Sequence, residues 1–155
     1  MFNARRAFSM IELVIVVVII GIIAAIAIPR MSRGAAGAQD SALIANLTVL
    51  RNAIDLFITE HEGVIPAAAD IENALLQYSN LAGDSFSATK DTTHYYGPYL
   101  RSLPELPVSA ERGSTGITAT AGTSGKGWVY DDSDGSIIAN SGTDTDATGT
   151  AYNTY

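Results

Sequence analysis

Residues 13–28, LVIVVVIIGIIAAIAI, contain no charged or strongly polar side chain. Extended back to Phe8 the run is 21 residues long, and as a helix it rises about 31 Å at roughly 1.5 Å per residue. That is the thickness of a bilayer's hydrocarbon core, about 30 Å. The run is apolar all round, which marks a helix surrounded by lipid or by other apolar helices. From Ser41 the pattern becomes one-sided. Leu43, Leu47, Leu50, Ile54 and Phe57 recur at steps of four and three, with Ile44 and Ile58 beside them, while Asp40, Arg51, Asp55 and Glu60 fall largely elsewhere. The two patterns together predict one helix over residues 8–60. It is expected to kink near Pro29, which lacks an N–H and crowds the preceding turn. Its second half needs a covering layer, and Gly63 and Pro66 end it.

Beyond the helix the elements are short. Residues 69–78 read as a helix with Ile71, Leu75 and Tyr78 on one face, and residues 83–93 as a polar loop. In YYGPYLRSLPELP, residues 95–107, Gly97 and three prolines imply an extended, turn-rich path from which Tyr99, Leu100, Leu103 and Leu106 pack inward. Residues 112–126, rich in Gly, Ser and Thr, read as a loop. The strongest hairpin signal is GWVYDDSDGSIIAN, residues 127–140: strand 128–130, a turn at Asp134 and Gly135, and a return strand 136–139. The antiparallel sheet built on this hairpin would cover the leucine stripe. Residues 141–155 are almost without apolar side chains and are either a loop laid on the sheet or a mobile end.

Charge sets the orientation and removes some functions. Arg5 and Arg6 precede the apolar run, so the positive-inside rule puts the N-terminus in the cytosol and the rest of the chain outside. The run exceeds the roughly 7–15 apolar residues of a secretory signal, and no small-x-small cleavage site closes it. It is therefore read as retained, with a better break before it, between Ala7 and Phe8. The net charge is −7, and without residues 1–7, which hold two arginines and no acid, it is −9. Lys90, Arg101, Arg112 and Lys126 are scattered, so no basic patch offsets a field that repels nucleic acid. The absence of cysteine removes disulfides and thiolate metal sites.

One acid interrupts the apolar segment. Glu12 completes the pattern S-x-x-E with Ser9, a capping box, and stands where a helix macrodipole favours a carboxylate by roughly 0.3–1 kcal/mol. Gly21 and Ala25 form a small-xxx-small pair, as do Gly34 and Ala38, a spacing that lets helix backbones approach closely. Asp131, Asp132, Asp134, Asp144 and Asp146 are the metal candidates, because calcium takes hard oxygen ligands from acidic loops. They lack the downstream glutamate of an EF-hand loop, and turns favour Asp and Gly for their own reasons. His61 and His94 read as surface or helix-end residues. No phosphate loop or nucleophile elbow occurs, and an enzyme is not expected.

Residues 6–29 resemble the N-terminus of type IV pilins and of the pseudopilins of type II secretion: a basic leader, a small residue, Phe8, an acid four residues on at Glu12, then an apolar helix with Gly21 and Pro29. Ala7 stands where the family usually has glycine. The resemblance implies cleavage after Ala7 and N-methylation of Phe8 by prepilin peptidase. In a filament the new amine of one subunit would neutralise Glu12 of a neighbour and set the register of the packed helices. It also implies that the stretch from Gly21 to Pro29 can melt on assembly. Residues 97–107 resemble the G-P-Y-L…L-P…P segment of major secretion pseudopilins, a family whose C-terminal loop carries calcium.

The expectation is an α+β, pilin-like chain: a long kinked N-terminal helix, transmembrane in the precursor, packed on a small antiparallel sheet. Residues 1–7 would be the leader, 8–29 the membrane and filament-core helix, 30–60 its amphipathic continuation, and 61–155 a small globular region. The expected function is a subunit of a helical filament, foremost the major pseudopilin of a type II secretion system exporting folded proteins. The alternatives are the major pilin of a surface type IV pilus, serving adhesion, motility or DNA uptake, and a monomeric single-pass anchor for a binding domain. Expected partners are further copies of the chain, prepilin peptidase, an inner-membrane assembly platform, minor pilins or pseudopilins, and membrane lipid before assembly. The chain would start in a bacterial inner membrane and end in a periplasmic or extracellular filament.

Overall fold

A computed structural model describes residues 8–155. The helix α1 runs Met10–Glu60 without interruption through position 29. The chain forms two compact units, Met1–Gly37 and Ala38–Tyr155, with the boundary inside α1. The second unit adds a short helix α2 (Ile71–Leu76) and two small sheets. One pairs β1 (Tyr78–Ser79) with β2 (Phe86–Ser87), antiparallel. The other has the order β3 (Gly116–Thr118), β4 (Lys126–Asp131), β5 (Ser136–Ala139).

The leucine stripe is the base of the core. Leu43, Leu47, Leu50 and Ile54 are at most 1 % exposed and form one cluster with Ile71 and Leu75 of α2 and with Trp128, Tyr130, Ile137 and Ala139 of the hairpin. The alternation of β4 and β5 explains this. Trp128 and Tyr130 share one face of β4, and Ile137 and Ala139 share one face of β5, as a period of two requires. The buried polar tips are satisfied: Trp128 Nε1–H donates to Pro104 O at 2.9 Å, and the Tyr130 hydroxyl donates to Pro66 O at 3.0 Å. Leu106 is fully buried, and Tyr99, Leu100 and Leu103 pack against the same cluster, as the proline-spaced pattern predicts.

Two stretches read as loops contain strands. Within residues 83–93, Phe86 and Ser87 pair with β1. Within residues 112–126, β3 lies parallel to β4, so the three-stranded sheet is mixed. Ile117 is the apolar residue that draws β3 into the core, at 5 % exposed. Parallel neighbours usually need a crossover of a dozen or more residues. Here residues 119–125 suffice, because a strand of three residues leaves a return path of only about 10 Å. Buried Asn140 pins the returning loop: its Oδ1 accepts from Gly122 N–H at 2.7 Å, and its Nδ2 donates to Thr123 O and Lys126 O, each at 2.8 Å. The hairpin forms where expected, with its first strand running on through Asp131. Asp131 pairs with Ser136, leaving four residues, 132–135, with Gly135 at φ 79°.

Gly127 tests this packing. A Cβ there would lie 2.3 Å from Ser114 O and 3.3 Å from Leu106 Cβ. That carbonyl is held by Leu106 N–H at 2.9 Å, so it cannot move aside freely. Gly127→Ala is expected to cost roughly 1–3 kcal/mol and lower Tm by several degrees. A thermal melt within error of the unsubstituted chain would show that the β3–β4 junction yields.

The tail is laid down. Residues Thr145 and Ala151 bridge, a 3₁₀ turn covers Tyr152–Thr154, and Tyr152 and Tyr155 pack against the core. The Tyr152 hydroxyl donates to Asp40 at 3.0 Å, the Tyr155 hydroxyl donates to Asp146, and Arg51 donates to the backbone oxygens of Ile137 and Tyr155. Both phenols are pushed up to about 12, Tyr152 by burial and then by its bond to Asp40, Tyr155 by its bond to Asp146 and then by burial. The fold thus prefers the neutral phenols. Their contribution is complete below an ordinary tyrosine value of about 10 and is lost as pH rises through about 12. Amides of residues 141–155 are expected to lose hydrogen-exchange protection in that window before the hairpin amides do. Simultaneous loss in both regions would show that the tail is not a separate unit.

Candidate assembly surface

The described residues of the first unit offer a surface that none of them covers. Fourteen large apolar side chains from Phe8 to Ile26 are 45–86 % exposed. None of the span Met10–Ala27 is buried. Covering each of these side chains is worth about 1 kcal/mol or more, so together they rival the roughly 5–15 kcal/mol that holds a whole domain folded. Lipid or other apolar helices are the environments that satisfy such a segment. A second stretch, Gly34–Glu60, also has the length and composition of a span, but a third of it is buried. That part is the leucine stripe, already covered by the hairpin.

At the head of this surface α1 begins at Met10, and Leu13 N–H donates to Ser9 O at 3.2 Å, which makes Ser9 the residue preceding the first turn. Glu12 lies in that first turn and is exposed. The Lys126–Glu72 ion pair and the His94–Asp91 contact among the described residues are elsewhere. Phe8 is 74 % exposed, so Phe8 and Glu12 are both presented outward. Ala7 lies outside the described residues. Gly21 is exposed, and a Cβ added there or at Gly34 would meet no atom within 4 Å. Nothing in the described chain therefore requires glycine at either position, and any packing use must come from outside it.

A family model described as the prokaryotic N-terminal methylation motif matches residues 2–28, the same stretch that carries the exposed apolar surface and Glu12. The chain carries a prepilin-type methylation motif. No curated protein and no solved structure matches it. A prepilin-type motif implies processing by prepilin peptidase and assembly into pilus-like filaments, and with the apolar helix it fits membrane anchoring followed by filament formation.

Of the aspartates named as metal candidates in this prepilin-type chain, Asp131, Asp134 and Asp146 hold local turns through their side chains. Asp131 accepts from Ser133 N–H at 2.9 Å and from its hydroxyl at 2.6 Å, which holds its carboxyl below the usual range. Asp134 accepts from Ser136 N–H, and Asp132 from Ala68 N–H. Asp146 accepts from Thr148 and Thr150 N–H and from the Tyr155 and Thr148 hydroxyls; the Tyr155 bond leads in holding it well below the usual range. The Asp144 backbone oxygen accepts from Tyr152 N–H. Among the described residues no group of three or more His, Asp or Glu side chains stands together as a metal site.

His61 stands at a helix end, as expected, but not at the surface, and His94 is only partly exposed. His61 follows the last residue of α1 but is fully buried, stacked on Phe57 at 3.8 Å, with Nδ1 2.7 Å from Phe57 O and Nε2 2.9 Å from Ser79 Oγ. His94 lies in a loop, joined to Asp91 and to Ser85. The sequence did not single out these three together; its one signal is the spacing D-x-x-H.

Proposed function

We propose that this chain is the major subunit of a pilin-type helical filament, and within that class the major pseudopilin of a type II secretion system. The observation that carries the filament reading is the coincidence of the methylation motif with an uncovered apolar helix bearing one carboxylate, Glu12. In this reading residues 1–7 are the leader, cut after Ala7. The freed Phe8 amine, with a reference pKa of about 7.7–8.0, is mostly cationic at neutral pH. It pairs with Glu12 of a neighbouring copy and fixes the axial register of helices whose apolar faces would otherwise slide. Gly21 gives close approach, and Pro29 weakens the helix where the filament can extend. The contact is head-to-tail and does not close by rotation, so copies add without limit. The secretion assignment is supported by the small cysteine-free domain and by the path of residues 97–107, which buries Leu106 and lends Pro104 O to Trp128.

Intact mass and N-terminal sequencing of the native protein test both levels. The expected product is a chain starting at N-methylated Phe8, held in the membrane fraction and absent from sheared material. The same mature chain in sheared filaments would move the assignment to a surface pilus. A chain still starting at Met1 would remove the filament reading and leave a single-pass anchored domain.

A further inference from the structure

Ser85, in the turn between β1 and β2, and Asp91 and His94, in the loop after β2, form a hydrogen-bonded line. Ser85 Oγ is 2.9 Å from His94 Nε2, and His94 Nδ1 is 2.9 Å from Asp91 Oδ2. The strand pairing brings them together. Ser79 pairs with Phe86 on one side and bridges to Tyr96 on the other. Ser85 precedes the first partner by one residue and His94 precedes the second by two, so both arrive at the same end of β1. Asp91 is fixed by its own turn, in which Oδ1 accepts the N–H groups of Thr93 and His94, each at 2.7 Å.

The protons follow from the partners. Nδ1 faces a carboxylate, which can only accept while ionised, so Nδ1 carries the hydrogen. Asp91 is held down to about 2 by the His94 backbone N–H, then by the imidazole and the Thr93 N–H, and so is ionised at neutral pH. When the ring carries that one hydrogen only, Nε2 offers its lone pair and the Ser85 hydroxyl donates to it. This is the order of roles, hydroxyl to imidazole to carboxylate, by which a serine is made nucleophilic. His94 is largely shielded, with 17 % of its side chain exposed, while Ser85 is half-buried. The loop after β2 edges a groove of about 640 Å³ lined by Val64, Leu81, Thr92, Thr93 and Tyr95 together with His61, Glu62 and Asn80; Ser85 and His94 lie outside that lining.

We propose that Ser85 is an activated hydroxyl that takes an acyl group from activated esters, with His94 as its base and Asp91 as the residue that positions the imidazole. Ser85 Oγ attacks the carbonyl carbon and its proton passes to Nε2. The tetrahedral adduct collapses, the C–O bond to the leaving group breaks, and the departing alkoxide or phenoxide takes the proton back from Nε2. The products are acyl-Ser85 and the free alcohol. The Ser85 N–H is engaged by Asn80 Oδ1 at 3.3 Å, so that amide does not stabilise the oxyanion. Such a stabiliser is worth about 100- to 1000-fold, and without it the site modifies itself once on a strongly activated donor rather than turning over quickly. The inference is independent of the filament reading.

The test is exposure of the full-length chain in detergent to p-nitrophenyl acetate, with the adduct located by peptide mass mapping. One acetyl group on Ser85 is expected. Labelling should vanish in Ser85→Ala and slow about 100-fold or more in His94→Ala, with added imidazole restoring part of the rate. Asp91→Asn should lose the acceleration and Asp91→Glu keep part of it. Thermal melts of each variant identify any that fail to fold, and the aspartate pair then decides. No adduct at Ser85, or equal rates in the unsubstituted chain and the folded His94 or Asp91→Asn variants, would overturn the proposal.

Discussion

Trp128→Ala is expected to detach the β4–β5 hairpin from α1 and leave the second unit largely unfolded. Trp128 is fully buried in the cluster that joins Leu43, Leu47, Leu50 and Ile54 to the sheet. Truncating a buried tryptophan costs about 3–5 kcal/mol through lost transfer energy and the cavity left behind. The lost bond to Pro104 O adds about 1 kcal/mol. Against a total stability of roughly 5–15 kcal/mol, that is a large fraction. The readout is hydrogen exchange at the amides of Val129, Ile137 and Ile138. Protection equal to that of the unsubstituted chain would mean that the sheet is not held by the packing described. Trp128→Phe, which restores much of the ring volume, should fall between.

Glu12→Leu is expected to strengthen membrane insertion and to abolish filaments. An acidic side chain in a span costs on the order of 2.5–3.5 kcal/mol at the bilayer centre and less near the interface, so its removal favours the inserted monomer. On the proposed pairing, the substitution strands the Phe8 amine among apolar helices in the assembled state. Leaving one member of a buried pair unpartnered costs about 3–5 kcal/mol, which weakens each subunit addition by more than about 100-fold. The measurements are the amount of chain in the membrane fraction, its processing at Phe8, and filament yield by electron microscopy. Normal filaments from Glu12→Leu would show that the carboxylate is only a helix cap.

The parts legible in the sequence were those in which one residue type dictates one environment. Sixteen consecutive apolar positions, 13–28, have no reading except a helix covered by something other than water. The step from Leu43 to Phe57 fixed which face of α1 is buried, and the alternation around Asp134 and Gly135 fixed the hairpin. Strands β1, β2 and β3, the first of which takes Tyr78 out of the expected helix 69–78, were missed because they are two or three residues long and held from outside. Ile117 is placed by the core and by Glu72, whose carboxylate accepts its N–H, while Asn140 returns the loop. Neither cause has a local periodicity. The same holds for Ser85, Asp91 and His94, which meet only because β1 is bordered on both sides. The methylation motif was legible because its meaning lies in residue identities at fixed spacing, Phe8 and Glu12 above all, rather than in a fold.

The placement of the aromatic residues gives the two units separate optical signatures. Trp128 is the sole tryptophan, and all seven tyrosines lie at or beyond residue 78. The described apolar helix carries no chromophore but Phe8. The buried, hydrogen-bonded indole therefore emits from the second unit alone. Its fluorescence can follow the folding of that unit in the purified chain, in detergent or in filaments of this chain alone.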